Sequence, residues 1–253
     1  MLNLSSSDVN AALLGVNEML REQIAGARAM RIRGRGTYGT VYDVCLPEEP
    51  DTESVLKVVR HADCTAEMIE NEVACMRRVK FAPFVHAVRH DMERKTSFIL
   101  MEDVGQTWSE QARAAGNAFG TEMLSRGAAL SAAAETMLLE FDRARVVHCD
   151  LSPHNVALQT VQDHDEHVVM RPIDFGMAIS FEHGKYPTCL PRTHRWLGEW
   201  HPGYDAALLS TAAAHMWRAY AKSGIECPFR LRFDPELAKA YSTAHQWLES
   251  CRF

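Results

Sequence analysis

The sequence predicts an α+β fold with two lobes, a small one built on an antiparallel β-sheet with one helix and a trimmed, mainly helical larger one. Residues 30–104 contain five short segments rich in β-branched and aromatic residues, with a single helical pattern between the third and the fourth. Residues 105–253 are dominated by alanine-rich and leucine-rich segments of helical periodicity. The chain has 253 residues, 47% of them hydrophobic, which is enough to give each lobe its own core.

Residues 1–29 form an N-terminal extension ahead of the sheet. Residues 7–29 are predicted to be an amphipathic helix capped by Ser7 or Asp8, with an apolar stripe that includes Val16 and Leu20. We expect this helix to pack on the smaller lobe and stabilise it. A regulatory or partner-binding role is the alternative.

The smaller lobe, residues 30–104, begins with two strands around the glycine-rich sequence GRGTYGTV at 34–41. Glycines at this spacing also open dinucleotide-binding folds, but there a helix follows them. Here the residues after Gly39 alternate and favour a strand, so the glycines are predicted to lie in a hairpin. A third strand at 55–59, a helix at 65–79 and strands at 84–90 and 97–102 complete the lobe.

The larger lobe, residues 105–253, is predicted to contain helices at 106–117, 121–145, 204–221 and 235–250. Between the second and third of these lies HCDLSPHN at 148–155, followed by two short strands at 156–158 and 168–173 and by DFG at 174–176. The strands are expected to pair as a hairpin that ends at Asp174.

Composition argues against several functional classes. The net charge is −6 and neither lobe is basic, so we expect no nucleic-acid partner. The first residues do not have the pattern of a signal peptide, and no apolar run approaches the length of a membrane span. The seven cysteines are scattered without CxxC spacing, which favours an intracellular protein in the cytoplasm, the nucleus or both.

Three polar residues in the larger lobe are suited to phosphoryl transfer. This chemistry needs a carboxylate that orients a hydroxyl and accepts its proton, and oxygen ligands that hold Mg²⁺ on the triphosphate. Asp150 can serve as the carboxylate, and Asn155 and Asp174 can supply the ligands.

The order of the motifs, a glycine-rich loop, VLK at 55–57, the HxD loop and DFG, resembles the protein kinase superfamily over about residues 30–221. The resemblance implies a protein-kinase-like fold with ATP and Mg²⁺ as cofactors and a protein as substrate. Residues 101–105 are similar to the hinge of the family. The resemblance further implies that the following residues bind the nucleotide: Gly34, Gly36, Tyr38, Gly39, Val41, Lys57, Glu102 and Val104.

The resemblance also implies roles for the remaining motif residues. Lys57 would contact the phosphates and pair with a helix glutamate, for which Glu72 is preferred over Glu67 and Glu70. Asp150 would be the catalytic base, and Asn155 and Asp174 would bind the metal. In the family, the segment that corresponds to residues 148–155 is the catalytic loop. His148 and Asp205 are expected to support this loop structurally, with an ordinary helix cap as the alternative for Asp205.

The chain departs from the family pattern at three places. Cys149 stands where an arginine commonly precedes the catalytic aspartate, which suggests that activity does not depend on activation-loop phosphorylation. Ser152 stands where serine/threonine kinases usually carry a lysine, as also happens in small-molecule kinases of the aminoglycoside and choline type. No APE motif precedes Asp205. The missing APE motif and the short C-terminal end are similar to those of compact kinases of large DNA viruses, and the HxD loop resembles that of herpesvirus kinases.

The function expected from the sequence is ATP- and Mg²⁺-dependent transfer of the γ-phosphoryl group to a serine or threonine hydroxyl. Two alternatives stay open. One is a small-molecule kinase, and the other is a pseudokinase that binds nucleotide or a partner without turnover.

Overall fold

The computed structural model describes residues 13–18, 20, 26–36, 39–46, 53–61, 64–162, 166–181, 203–220 and 226–231. The chain divides into two compact units. The first comprises Met1–Glu70 and Pro83–Asp103, and the second comprises Asn71–Ala82 and Val104–Phe253. The predicted helix at 235–250 lies outside the described residues.

Within the described residues, the first unit contains a five-stranded antiparallel sheet of order β1-β2-β3-β5-β4. The strands β3 and β5 lie in the interior of the sheet and are buried along almost their whole length, so both of their faces are covered. This explains their continuous apolar character. The strands are β1 (Arg28–Arg35), β2 (Gly39–Cys45), β3 (Ser54–Arg60), β4 (Val85–Asp91) and β5 (Thr96–Glu102).

The helix α1 (Ala66–Arg78) lies between β3 and β4 in the chain, as the sequence predicted. The division between the two units falls inside this helix, so that its last residues belong to the second unit. Glu67 stands in its first turn and Arg77 and Arg78 in its last, the arrangement that complements a helix dipole.

The N-terminal helical segment packs on the sheet of the first unit. Val16 and Leu20 are buried in the same apolar cluster as Tyr42, Leu56 and Phe98 from three strands. Residues 26–29 are not helical, so the expectation of a helix up to residue 29 was wrong.

The reason is local. Gly26 has φ 77°, a left-handed conformation that cannot be part of a right-handed helix and that glycine adopts without strain. Strand β1 then begins at Arg28, and the backbone of Ala29 is fixed by the side chain of Asn17. The Asn17 amide accepts from the Ala29 N–H at 2.8 Å and donates to its carbonyl at 3.2 Å.

The helices of the second unit are α2 (Trp108–Ala115), α3 (Phe119–Ala144) and α4 (Tyr204–Tyr220) among the described residues. A capping box starts α2: Thr107 Oγ1 accepts from the Glu110 N–H at 3.2 Å, and Glu110 Oε2 accepts from the Thr107 N–H at 2.8 Å. These bonds satisfy two of the backbone donors that a helix start leaves free. The sequence predicted all three helices to within a few residues.

Short strands follow α3 in the described part of the chain. The strands β7 (Val156–Gln162) and β8 (Glu166–Pro172) form an antiparallel hairpin, longer than the predicted one. A second small pair joins β6 (Val146–Val147) to β9 (Ile179–Ser180) and so brackets the catalytic loop and the DFG segment.

The segment 226–231 packs closely against α3. The Arg230 N–H donates to Ser131 Oγ at 2.9 Å, and Ser131 Oγ donates to the Gly127 carbonyl at 2.8 Å. A Cβ atom at Gly127 would lie 2.7 Å from Pro228 Cβ, so only glycine fits at this point of the helix. In the part of the chain that the structure describes, none of the helices combines the length and the apolarity that a bilayer crossing requires.

Candidate active site

The carboxylate of Asp205 forms hydrogen bonds with the backbone of the catalytic loop. Asp205 lies in the first turn of α4 and is almost fully buried. Its Oδ2 accepts from the backbone N–H of His148 at 2.6 Å, and its Oδ1 accepts from that of Cys149 at 3.0 Å. Burial raises the pKa of Asp205, while the bonds from these two N–H groups act in the opposite direction. The side chain therefore anchors the loop and is more than an ordinary helix cap.

Cys149 has a left-handed backbone with φ 65°, an unfavourable conformation for a residue with a Cβ. The bond to Asp205 holds it there and turns the chain so that the next residue, Asp150, is exposed. Burial raises the pKa of the Cys149 thiol well above its usual value, with Asp205 and Asp150 adding to the effect. The side chain at this position is thus a neutral thiol.

Asp150 and Asn155 are joined directly. The Asn155 amide Nδ2 donates to the Asp150 carboxylate Oδ2 at 2.8 Å and to the Asp150 carbonyl at 2.9 Å. The backbone between them closes a turn in which the Asn155 N–H donates to the Ser152 carbonyl at 2.8 Å. Because both contacts use the NH₂ end of the amide, the carbonyl end, Oδ1, points the other way and has no hydrogen bond within the described residues.

The β7–β8 hairpin brings Asn155 and Asp174 to the same end of a sheet. The register pairs Val156 with Pro172, the first residue of one strand with the last of the other. Asn155 directly precedes this pair and Asp174 follows it by two residues. The Ile173 N–H extends the ladder by donating to the Asn155 carbonyl at 2.9 Å.

Asp174 itself has a left-handed backbone, with φ 58° and ψ 69°, and begins a short 3₁₀ turn at Phe175–Met177. Asn71 on α1 donates to the Ala178 carbonyl at 2.9 Å, just after this turn. Asn71 is not among the site residues predicted from the sequence. The sequence gives only a weak indication of its role, since Asn71 is simply a polar residue next to Glu72 on the same helix.

His148 and Phe175 form the apolar support under these polar groups. Both side chains are fully buried, and their ring centroids are 4.9 Å apart. Phe141 of α3 contacts both rings. His148 Nε2 lies 2.9 Å from the Ile173 carbonyl and must donate to it, which leaves Nδ1 without a partner in the described part of the chain. A histidine packed in this way is suited to positioning the loop and not to moving protons.

In the first unit, the glycine-rich hairpin is closed by a bond from the Gly36 N–H to the Gly39 carbonyl at 2.9 Å. Gly39 is required by packing, since a Cβ there would lie 2.7 Å from the Val58 carbonyl oxygen. At Gly34 and Gly36, by contrast, packing does not require glycine. A Cβ at Gly34 would meet nothing within 4 Å, and one at Gly36 would only reach Gly39 O at 3.9 Å. Tyr38 lies outside the described residues.

Lys57 lies in the centre of the sheet, paired in register with Val41 of β2. It is only 6% exposed, which is unusual for a lysine and requires polar interactions for its ammonium group. Glu72, in the part of α1 that belongs to the second unit, is 3% exposed. The other two candidate glutamates, Glu67 and Glu70, are exposed, and Glu70 contacts His90 at 2.7 Å.

Glu102 and Val104, the hinge-like residues, have local partners. The Glu102 carboxylate accepts from the Phe84 N–H at 3.1 Å, and its own N–H donates to the Phe84 carbonyl at 2.8 Å. The Val104 carbonyl accepts from Gln159 of β7 at 3.2 Å. The Phe84 backbone therefore engages both the side chain and the backbone N–H of Glu102.

The oxygen donors of Asn155 and Asp174 fit a hard cation such as Mg²⁺. No cluster of three or more His, Cys, Asp or Glu side chains suited to a metal occurs in the described ranges. Mg²⁺ is usually held by one or two protein ligands together with phosphate oxygens and water.

Comparison with known families identifies the chain. Residues 28–199 match the protein kinase domain. The match covers well over half of the chain, and the protein belongs to the protein kinase family. The two-lobed α+β fold class expected from the sequence is confirmed, as is phosphotransfer as the general activity of the family. A comparison with curated proteins finds no individual match.

Proposed function

We propose that the protein is an ATP- and Mg²⁺-dependent kinase that transfers the γ-phosphoryl group to serine or threonine hydroxyls of a protein. The observation that carries this proposal is the exposed Asp150 carboxylate, held at 2.8 Å by Asn155. Asn155 and Asp174 lie together at one end of the β7–β8 hairpin. A scaffold without turnover has no need for this arrangement.

In this proposal Asp150 accepts a hydrogen bond from the substrate hydroxyl and takes its proton as the oxygen attacks. The bond from Asn155 fixes the direction of the carboxylate. Asn155 Oδ1 and Asp174 would hold Mg²⁺, which when bound neutralises charge on the phosphates.

The glycine-rich hairpin supports nucleotide binding. Neither internal packing nor a positive φ demands glycine at residues 34 and 36, so their missing side chains leave free space beside backbone N–H groups. Such space allows phosphates to approach the main chain closely. Lys57 would supply a positive charge to the same phosphates.

We further propose that activity does not require a phosphorylated activation loop. The residue before Asp150 is a neutral thiol with a raised pKa, and a thiol cannot form a charge-assisted pair with a phosphate. The loop has a different anchor, the two bonds to Asp205. Phosphatase treatment should leave the turnover unchanged, and a large loss would contradict this part of the proposal.

The test is transfer from γ-labelled ATP to generic proteins with serine, threonine or tyrosine acceptors, with Mg²⁺ and with EDTA. Asp150→Asn is expected to lower turnover by about 10²-fold or more. Asp142→Asn, a change of the same type at a half-buried aspartate on α3, is the matched control. Phosphoamino-acid analysis of the product decides between serine/threonine and tyrosine.

Two outcomes would contradict the proposal. Label that appears equally with the wild type and Asp150→Asn would exclude Asp150 as the base. No label on any protein, with ATP still raising the melting temperature in the presence of Mg²⁺, would favour a small-molecule acceptor or a scaffold.

A further inference from the structure

A large cavity opens in the second unit beside the catalytic loop. Its volume is about 720 Å³, within the range of ligand-binding sites. It is lined by residues of α2, of α4 and of the catalytic loop itself. Pro153 and His154 form the side that faces the loop.

Hydrogen bonds hold the helix and the loop that line this cavity in place. The Ser109 N–H in the first turn of α2 donates to the Pro153 carbonyl at 2.9 Å. His154 Nε2 lies 3.5 Å from Ser109 Oγ, so the imidazole stands against the helix start. The capping box at Thr107 holds the same helix turn. The lining is therefore attached to the loop that carries Asp150.

The lining is cationic or neutral. Arg113, His154 and His215 contribute to it, and no aspartate or glutamate lines it within the part of the chain that the structure describes. Neither Arg113 nor His215 forms an ion pair within the same described ranges, and both are exposed. This is unexpected in a chain with a net charge of −6, and it leaves positive charge available to an anionic ligand.

The cavity is within reach of a peptide bound at Asp150. His154 follows Asp150 by four residues, so their Cα atoms are at most about 14 Å apart, and the turn from Ser152 to Asn155 shortens this. An extended peptide advances about 3.3 Å per residue. A side chain two to four residues from the acceptor hydroxyl would therefore reach the cavity.

We propose that this cavity is a specificity subsite for an anionic side chain of the substrate, a carboxylate or a phosphate, two to four residues from the acceptor. Arg113 would bind the anionic group, and His154 and His215 would donate hydrogen bonds to it. Apolar residues such as Leu208 and Met216 would contact its aliphatic part. This inference rests on the proposed function, because it assumes that a peptide acceptor binds at Asp150.

The experiment uses peptides with one serine acceptor in an alanine background. Glutamate, phosphoserine or arginine is placed at each of the four positions before and after the acceptor. The wild type should show a kcat/KM about tenfold higher for the anionic residues than for arginine at one or two of these positions. Glutamate alone, phosphoserine alone or both would identify the preferred anion.

The decisive comparison introduces a negative charge into the lining of the cavity. Arg113→Glu and His215→Glu should each lower the ratio of kcat/KM between the acidic and the basic peptide by about tenfold or invert it. Arg218→Glu is the matched control, since Arg218 is exposed on the same helix as His215 but does not line the cavity. Thermal melting of each variant should match that of the wild type.

A second readout does not depend on turnover. The best acidic peptide, with alanine in place of the acceptor serine, should bind the wild type in fluorescence anisotropy and bind Arg113→Glu more weakly. If this holds but no peptide is phosphorylated, the proposed function fails and the subsite stands. If peptides are phosphorylated without preference, or if Arg218→Glu changes the ratio as much as Arg113→Glu, the subsite is refuted and the kinase activity stands.

Discussion

Asp205→Ala should both destabilise the protein and slow phosphoryl transfer, although Asp205 does not face the exposed side of the catalytic loop. The substitution leaves two backbone N–H groups, of His148 and Cys149, without their acceptor. A buried donor left unsatisfied costs about 1–3 kcal/mol, so we expect a loss of about 2–6 kcal/mol in the free energy of unfolding. This is a large part of the stability of a typical domain, about 5–15 kcal/mol.

The effect on turnover follows from the backbone of Cys149. A left-handed conformation costs a residue with a Cβ about 1–2 kcal/mol, and the bond to Asp205 offsets this cost. Without the anchor the loop should relax toward an extended conformation and displace Asp150. A displacement of about 1 Å at a catalytic group can reduce the rate about 10²-fold. We therefore expect a fall in kcat of this order.

Urea denaturation with linear extrapolation measures the first effect, and the labelled-ATP assay measures the second. Asp205→Asn keeps one acceptor oxygen and removes a buried charge, so its loss of stability should be smaller than that of Asp205→Ala. Asp142→Ala serves as the control, because the Asp142 side chain has no hydrogen bond within the described residues, and it should change stability by no more than about 0.5 kcal/mol. An Asp205→Ala protein within about 1 kcal/mol of the wild type and with unchanged kcat would refute the anchoring role.

Two further predictions concern packing and thiol chemistry. A glycine-to-alanine change inside a helix normally stabilises it by about 1 kcal/mol. In Gly127→Ala, however, the new Cβ would lie 2.7 Å from Pro228. We therefore expect urea denaturation to show a net destabilisation of about 1–3 kcal/mol. A variant at least as stable as the wild type would contradict this packing. Because its pKa is raised, Cys149 should react with iodoacetamide much more slowly than the exposed Cys45 at pH 7.5, and its reaction should accelerate only at higher pH as the thiolate forms. Mass spectrometry of the labelled native protein checks this, and equal labelling of the two residues would contradict it.

Local patterns were sufficient for the order of the elements and for the chemistry of the motifs. The alternation after Gly39 predicted a strand, and β2 occupies Gly39–Cys45. The choice of Glu72 over its neighbours rested on helix position, and Glu72 is the buried one of the three glutamates. The end of the N-terminal helix was wrong because Gly26 and the bonds from Asn17 override the apolar periodicity.

The sequence by itself determined what is encoded within a few residues: the strand and helix pattern, the glycine-rich hairpin, and the placement of Asp150 and Asn155 in one loop. Contacts between distant groups are not encoded in local patterns. Only the resemblance to the protein kinase family indicated that Asp205 supports the loop, and the structure shows the bonds to the backbone of His148 and Cys149. The tertiary structure alone decided that Gly127 accommodates Pro228. The cationic cavity collects side chains from two helices and a loop. Periodicity and propensity report neighbours along the chain, whereas these contacts depend on how elements pack after the chain has folded, which a single sequence does not record.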